Sequence, residues 1–236
     1  MAEIRKCLVI GGSEGLGLAI AAREHSRGSE VAVLSRKASN LSTAPNFIAL
    51  EQDLNDLSLV SQTIKRVSPT YLYLCAAEAV APTKPGNYDS EVSAMRTNFV
   101  STIVWLSESF DLLHPGSRVA WISSLTAVIP IEELATYSAA KAGVEHFLRC
   151  MRTRIERESI SLTVCYPGCL ETGFHAKSGR EVPESAASPD SVVDDLLFAV
   201  DKRDEYWAAD SDRAVVNAYA GYNRRLLRRY RSDLVL

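Results

Sequence analysis

The chain lacks long apolar runs, paired-cysteine spacings, a strong charge of either sign, internal repeats and low-complexity tracts, and each absence excludes a class of function. Twenty-six basic residues nearly balance 29 acidic ones, for a formal net charge of -3. Such a surface has no overall attraction for nucleic acid or an anionic membrane, and neither is expected as a partner. No apolar stretch approaches the length needed to cross a bilayer. The first apolar run, Cys7-Leu8-Val9-Ile10, is far shorter than a signal-peptide core and leads into a glycine cluster, so a cytoplasmic location is expected. The five cysteines, Cys7, Cys75, Cys150, Cys165 and Cys169, are odd in number and set among apolar residues, which favours reduced, mostly buried thiols. Cys165 and Cys169 lack CxxC spacing and a second ligand pair, and His25, His114, His146 and His175 are scattered, so no metal site is expected.

What the chain does have is an alternation of short apolar runs with helical patterns. Cys7–Ile10, Val31–Leu34, Phe47–Leu50, Tyr71–Cys75, Val119–Ile122 and Leu162–Tyr166 read as buried strands. Between and after them, Leu16–Ser26, Leu57–Val67, Tyr88–Leu113, Ala135–Glu158 and Ser191–Asp201 carry apolar residues at helical spacing. Strands separated by helices imply right-handed crossovers and a mainly parallel sheet covered on both faces. The expected fold is one doubly wound α/β domain over residues 1–236, which binds ligands at the carboxyl ends of its strands. Only Lys37 to Asn46 separates the second strand from the third, so the helix there is short or absent. Gly173–Asp190 shows no sustained period and reads as a mobile loop placed where a substrate lid belongs.

Strand one runs into Gly11-Gly12-Ser13-Glu14-Gly15-Leu16-Gly17 and straight on into a helix. Glycines allow a tight turn and close backbone approach, and a helix N-terminus offers unpaired N–H groups to a pyrophosphate. A turn that only packs helix on strand is the alternative; position after strand one favours cofactor binding. Strand two ends in Ser35-Arg36-Lys37 without an acid. An acid there would accept from ribose hydroxyls, whereas Arg36, aided by Ser35 and Lys37, suits a 2′-phosphate, so NADP(H) is expected over NAD(H). Glu14 stands against this if its carboxylate points into the turn.

Tyr137-Ser138-Ala139-Ala140-Lys141 places a phenol and an ammonium at i and i+4, on one face of a helix. A tyrosine titrates near ~10, and a neighbouring lysine would draw it towards a useful range for acid–base work. The pairing is weak alone. Its context is stronger: the strand Val119–Ile122 ends in Ser123-Ser124, placing a hydroxyl at a strand's carboxyl end, and Asn98 in the preceding helix offers an amide to the same region.

With these residues in place, the sequence resembles the short-chain dehydrogenase/reductase family over nearly its whole length. The glycine turn is similar to TGxxxGxG, with Ile10 at the threonine. Asp53-Leu54 is similar to the pair that contacts adenine, Tyr137 and Lys141 to YxxxK, Ser124 to the active-site serine and Asn98 to the asparagine of a water-mediated proton relay. Pro167-Gly168-Cys169-Leu170-Glu171-Thr172 is similar to the PGxxxT segment that holds the nicotinamide carboxamide. The resemblance implies a Rossmann-like fold, Tyr137 as acid/base, Ser124 polarising a carbonyl, and Lys141 binding the nicotinamide ribose. It also implies a homodimer or homotetramer. Cofactor contacts carried over are Gly11, Ser13, Gly15, Leu16, Gly17, Ser35, Arg36, Lys37, Asp53, Leu54, Ala76, Ala77, Tyr137, Lys141, Pro167, Gly168, Leu170 and Thr172. The family's NNAG segment reads Cys75-Ala76-Ala77-Glu78, a departure that would loosen the cofactor and turn Glu78 towards a substrate.

The reading is therefore an NADPH-dependent enzyme reducing a small-molecule carbonyl to a secondary alcohol. A cofactor-binding regulatory or scaffold protein, and an epimerase or dehydratase, are the alternatives. The run Asn223 to Arg231, with five arginines, reads as an amphipathic terminal helix, with a polyanion site as its rival. Val104, Trp105, Leu106, Phe147 and Leu148 read as core or subunit interface.

Overall fold

The structure, a computed structural model, describes residues 4–41, 44–79 and 88–231, with side chains as far as residue 225. Seven strands form one parallel sheet: β1 Lys6–Ile10, β2 Glu30–Ser35, β3 Phe47–Glu51, β4 Tyr71–Leu74, β5 Arg118–Ile122, β6 Ser161–Tyr166 and β7 Tyr206–Ala208, in the order β3-β2-β1-β4-β5-β6-β7. The order reverses beside β1, where Cys7 is in register with Val31 of β2 on one side and Tyr71 of β4 on the other. That reversal opens a crevice past the carboxyl ends of β1 and β4. The helices are α1 Gly15–Ser26, α2 Val60–Val67, α3 Asp89–Met95, α4 Thr102–Leu112, α5 Ala135–Arg157, α6 Gly173–Lys177, α7 Pro189–Lys202 and α8 Asp210–Arg231.

The strands read as continuous apolar runs because both faces are covered. Leu8 and Ile10 of β1 join a core with Trp105, Leu106 and Phe110 of α4 and Val144 and Leu148 of α5. Cys7 and Val9, alternating with them, face Ile20 of α1 and Leu196, Leu197 and Val200 of α7. Each such large side chain, fully buried, contributes about 1.5–3 kcal/mol. Trp105, Leu106 and Leu148 are thus core within one chain, and Val104 and Phe147 pack against the same cluster.

The six sequence-read strands form, each within two residues of its expected ends. Between β2 and β3 the described residues form a single 3₁₀ turn, Ala38–Asn40. The structure corrects four other readings. Tyr88–Leu113 is not one regular α-helix: Arg96–Ser101 between α3 and α4 is a π-helical turn, within which the Thr102 hydroxyl donates to the Thr97 carbonyl at 3.1 Å. The widened turn brings Asn98 to full burial. Gly173–Asp190 is not irregular throughout. It opens with α6, and Ala187 pairs with Leu170. Strand β7 had no sequence signal at three residues, and α8 begins well before the arginine run. Cys150 and Cys169 are exposed, although all five cysteines are free thiols.

At the amino end of the sheet lies a charge network with no sequence signature. Glu24 of α1, fully buried, accepts from Arg5 (3.1 Å), the Tyr73 hydroxyl (2.6 Å) and the Ser29 hydroxyl (3.0 Å). Arg5 also reaches Asp201 of α7 at 2.8 Å. Burial, then the Glu24 charge, pushes the Tyr73 phenol well above its ordinary range. The network ties α1, β4 and α7 to the segment entering β1, and leaves the carboxyl end of the sheet free for a site. Glu24→Leu strands a buried phenol, a buried serine and an arginine, so chemical denaturation is expected to show a loss of about 2–4 kcal/mol with the fold otherwise retained.

Candidate active site

The turn from β1 into α1 is built against neighbouring backbone. Gly11 has φ +83°, and a Cβ there would lie 2.5 Å from the Ala76 backbone; a Cβ at Gly17 would lie 2.2 Å from the Gly11 carbonyl oxygen. Only glycine fits either position. The end of β4 is stitched to the same turn, with Cys75 and Ala76 both donating to the Ile10 carbonyl at 2.8 and 3.0 Å. No side chain caps the first N–H groups of α1, and its first turn holds no acid. Those donors, on a positive helix end, form a cradle suited to a pyrophosphate.

Beside the cradle, the Ser13 and Ser35 hydroxyls lie 2.7 Å apart, and the Lys37 amide donates to Ser35 at 3.3 Å. Arg36 and Lys37 are exposed and have no ion-pair partner among the described residues. Glu14 pairs with Lys177 of α6, which holds its carboxylate. On the far side of the cradle, the Asp53 carboxylate accepts from the Asn55 amide at 2.9 Å and the Trp105 indole donates to the Leu54 carbonyl at 3.0 Å.

The catalytic candidates converge past the ends of β4 and β5. Tyr137 and Lys141 occupy the first two turns of α5, and Ser124 follows β5. The Ser124 hydroxyl lies near enough to Tyr137 to favour its phenolate, and accepts from the Thr126 amide and hydroxyl at 3.2 and 3.1 Å. Lys141 donates to the Ile122 carbonyl at 2.8 Å, its ammonium 5.5 Å from the centre of the Tyr137 ring. Asn98 spends its amide on one neighbour, accepting from the Glu78 N–H and donating to the Glu78 carbonyl, both at 2.8 Å. The Glu78 side chain accepts from Thr97 (2.8 Å) and Ser93 (3.2 Å), so it faces the helix rather than a substrate, contrary to the sequence reading.

Electrostatics also differs from expectation. Burial pushes the Tyr137 phenol above its ordinary range, against a smaller opposing effect of Ser124, and Lys141 does not pull it down. The same burial lowers the lysine to about 8, which weakens its charge. The Cys75 thiol beside it is raised to about 12 by burial and stays neutral.

The loop after β6 closes the site. Gly168 has φ +72°, and Thr172 caps α6 by accepting from the Phe174 amide at 3.3 Å. The methyl of Thr172 lies 3.1 Å from where a Cβ on Gly15 would be, so this loop rests on the glycine turn. Leu170 pairs with Ala187, and the Ala187 amide donates to the Cys169 carbonyl at 2.9 Å.

A family model described as short chain dehydrogenase matches residues 5–183. The chain belongs to the short-chain dehydrogenase family. Curated relatives are distant. Versicolorin reductase of Emericella nidulans is 25% identical over 208 residues, 80% of this chain and 78% of that protein. Carbonyl reductase family member 4 of Danio rerio is 26% identical over 216 residues, 84% of this chain and 91% of that one. Among solved structures, a short-chain dehydrogenase from Sphingobium yanoikuyae in complex with NADPH superposes with a TM-score of 0.83 at 19% identity, covering 95% of each chain. One from Burkholderia cenocepacia in complex with NADP gives 0.79 at 19%, covering 96% of this chain and 97% of that one.

Several residues of this site escaped the sequence reading. Phe174 packs on Tyr137 at 5.1 Å between ring centres and helps leave the tyrosine only 8% exposed. The Ser123 and Ser138 hydroxyls are buried beside the site without a partner among the described residues. Asn55 binds Thr97 (3.1 Å) and accepts from Ser101 (2.6 Å), locking the segment after β3 to the π turn. Ser123 and Ser138 adjoin residues already singled out; Phe174 and Asn55 carried no signal. Among the described residues no group of His, Cys, Asp and Glu could hold a metal, and no helix is long and apolar enough to cross a membrane.

The depressed Lys141 value has a measurable consequence. The unfolded lysine holds its proton to pH 10.5 and the folded one only to about 8, so between those values the unfolded state binds more protons and folding stability rises with pH. Relative to Lys141→Met, the ligand-free wild type should gain stability across that window, at a slope of up to about 1.4 kcal/mol per pH unit, read from denaturation series at matched pH.

Proposed function

We propose that the protein is an NADP(H)-dependent oxidoreductase that reduces a ketone to a secondary alcohol. The observation that carries the reading is the convergence of Ser124, Tyr137 and Lys141 beside a cradle next to which β2 ends in Ser35, Arg36 and Lys37, with no acid among those three. Reductases among the curated relatives, versicolorin reductase and a probable tetrahydroxynaphthalene reductase, support the direction. NADPH or NADP in structures sharing the fold supports the cofactor.

The residues fit the cofactor as follows. Gly11, Ser13, Gly15, Leu16 and Gly17 would take the pyrophosphate, and Ser35, Arg36 and Lys37 the 2′-phosphate. Asp53, Leu54, Ala76 and Ala77 would line the adenosine side, and Pro167, Gly168, Leu170 and Thr172 the carboxamide side. Bound there, the reduced nicotinamide supplies the hydride. Ser124 donates to the carbonyl oxygen and Tyr137 gives it a proton. A phenol held above its ordinary range is fully protonated at neutral pH, the state an acid needs for reduction. Lys141, its value near 8, remains largely charged at neutral pH, with its ammonium 5.5 Å from the centre of the Tyr137 ring. Asn98 holds the chain after β4 in place through Glu78, which keeps the floor of the site fixed.

Two measurements test this. A carbonyl panel, followed by loss of reduced-nicotinamide absorbance, should show turnover that Tyr137→Phe lowers by about 10²–10⁴-fold while NADPH binding is kept. Turnover without net cofactor consumption would move the reaction to epimerisation or dehydration; full activity in Tyr137→Phe would overturn the mechanism. In the same assay NADPH should outperform NADH, and Arg36→Ala should weaken NADPH by about tenfold or more with NADH little changed.

A further inference from the structure

The glycine turn carries one residue that does not suit an anion. Glu14 stands between Ser13 and Gly15, at the position that precedes the first turn of α1. A residue there commonly turns a side-chain oxygen back onto the free N–H groups of the helix. Glu14 does not: its backbone is extended, with φ -154° and ψ 167°, and its side chain makes no bond to the helix start. The N–H groups are left open, and an acid stands on the same turn. A pyrophosphate held by those groups would share the turn with that carboxylate, and like charges repel.

The countercharge comes from far along the chain. Lys177, the last residue of α6, places its ammonium on the Glu14 carboxylate. The approach is built by the residues around it. The Thr172 methyl lies 3.1 Å from where a Cβ on Gly15 would be, and a Cβ on Gly173 would lie 3.9 Å from both the Glu14 carboxylate and the Lys177 Cε. Neither charge has another ion-pair partner among the described residues. Both side chains are more than half exposed, so the pair adds little to the stability of the fold. What distinguishes it is its place on the phosphate turn.

We infer that Lys177 is a positioning residue for the dinucleotide, acting through Glu14: it neutralises the acid, so that the turn meets a pyrophosphate as a cradle of N–H donors without an opposing charge. This role rests on the cofactor reading above. It assigns to the cradle a cation that lies outside the glycine motif and outside the segment after β2. Because α6 also carries Phe174 onto Tyr137, one short helix serves both the phosphate turn and the phenol.

A neutralising charge and a merely structural latch give different results in a binding assay. NADPH and NADH affinities of the full chain are measured without substrate, by cofactor fluorescence and calorimetry. Lys177→Met uncovers the carboxylate and should weaken both cofactors by about fivefold at low salt, and by less at high salt, where the repulsion is screened. Both are affected because the pyrophosphate is common to them. Glu14→Gln breaks the same ion pair but leaves no charge to repel, so its affinity should equal or exceed that of the wild type. The double variant Glu14→Gln/Lys177→Met should return to within about twofold of the wild type, and Lys177→Arg should match it. Unchanged affinity in Lys177→Met, equal weakening in Glu14→Gln, or a double variant as weak as Lys177→Met would each overturn the role given to Lys177 while leaving the cofactor reading intact. A wild type that binds neither dinucleotide would overturn the cofactor reading, and this role with it.

Discussion

With 2.5 Å between the place a Cβ would take on Gly11 and the backbone of Ala76, β1 and β4 meet at their carboxyl ends with no space to spare. The rest of the site is arranged around that approach. It lets Cys75 and Ala76 bond to the Ile10 carbonyl, and it aims the uncapped start of α1 across the crevice. From the same point the chain after β4 runs to Glu78, where Asn98 receives it. A side chain at Gly11 would wedge the two strands apart and uncouple the glycine turn from Ser124, Tyr137 and Lys141.

The two halves of the site are then tied by contacts of different kinds. At the cradle, the loop after β6 lies on Gly15 through Thr172, and Lys177 takes up the Glu14 carboxylate. At the other end, Phe174 from the same short helix covers Tyr137. One segment, Thr172 to Lys177, thus touches phosphate turn and phenol at once. The covering has an electrostatic result. Where the sequence suggested a lysine pulling a tyrosine down, exclusion of water outweighs that attraction, raising the phenol and lowering the ammonium together.

At the opposite end the sheet is closed by charge rather than by turns. The Glu24 network gathers the chain entering β1, α1, β4 and α7 around one buried carboxylate, and the Arg152–Glu205–Arg224 group links α5 to β7 and α8. The carboxyl end is left to loops and glycines, where ligands enter in folds of this kind.

Six of the seven strands, the helices that cover them apart from α6 and the break in Tyr88–Leu113, the glycine turn and the order of Ser124, Tyr137 and Lys141 were legible in the chain itself. Each rests on a local rule: a run of apolar residues buried on two faces, a helical repeat, a glycine where no Cβ fits, a fixed spacing along a helix. What only the tertiary structure decided are matters of distance between residues remote in sequence. Glu14 meets Lys177, Glu24 meets Tyr73, Asn55 meets Ser101, and the π turn carries Asn98 inward. Glu78, which by motif position belonged to a substrate, went to Thr97 because the widened helix brought that hydroxyl within reach. Periodicity and spacing describe a chain one turn or one strand at a time. The partners of a charge, and the water it loses, are set only when the layers close over it.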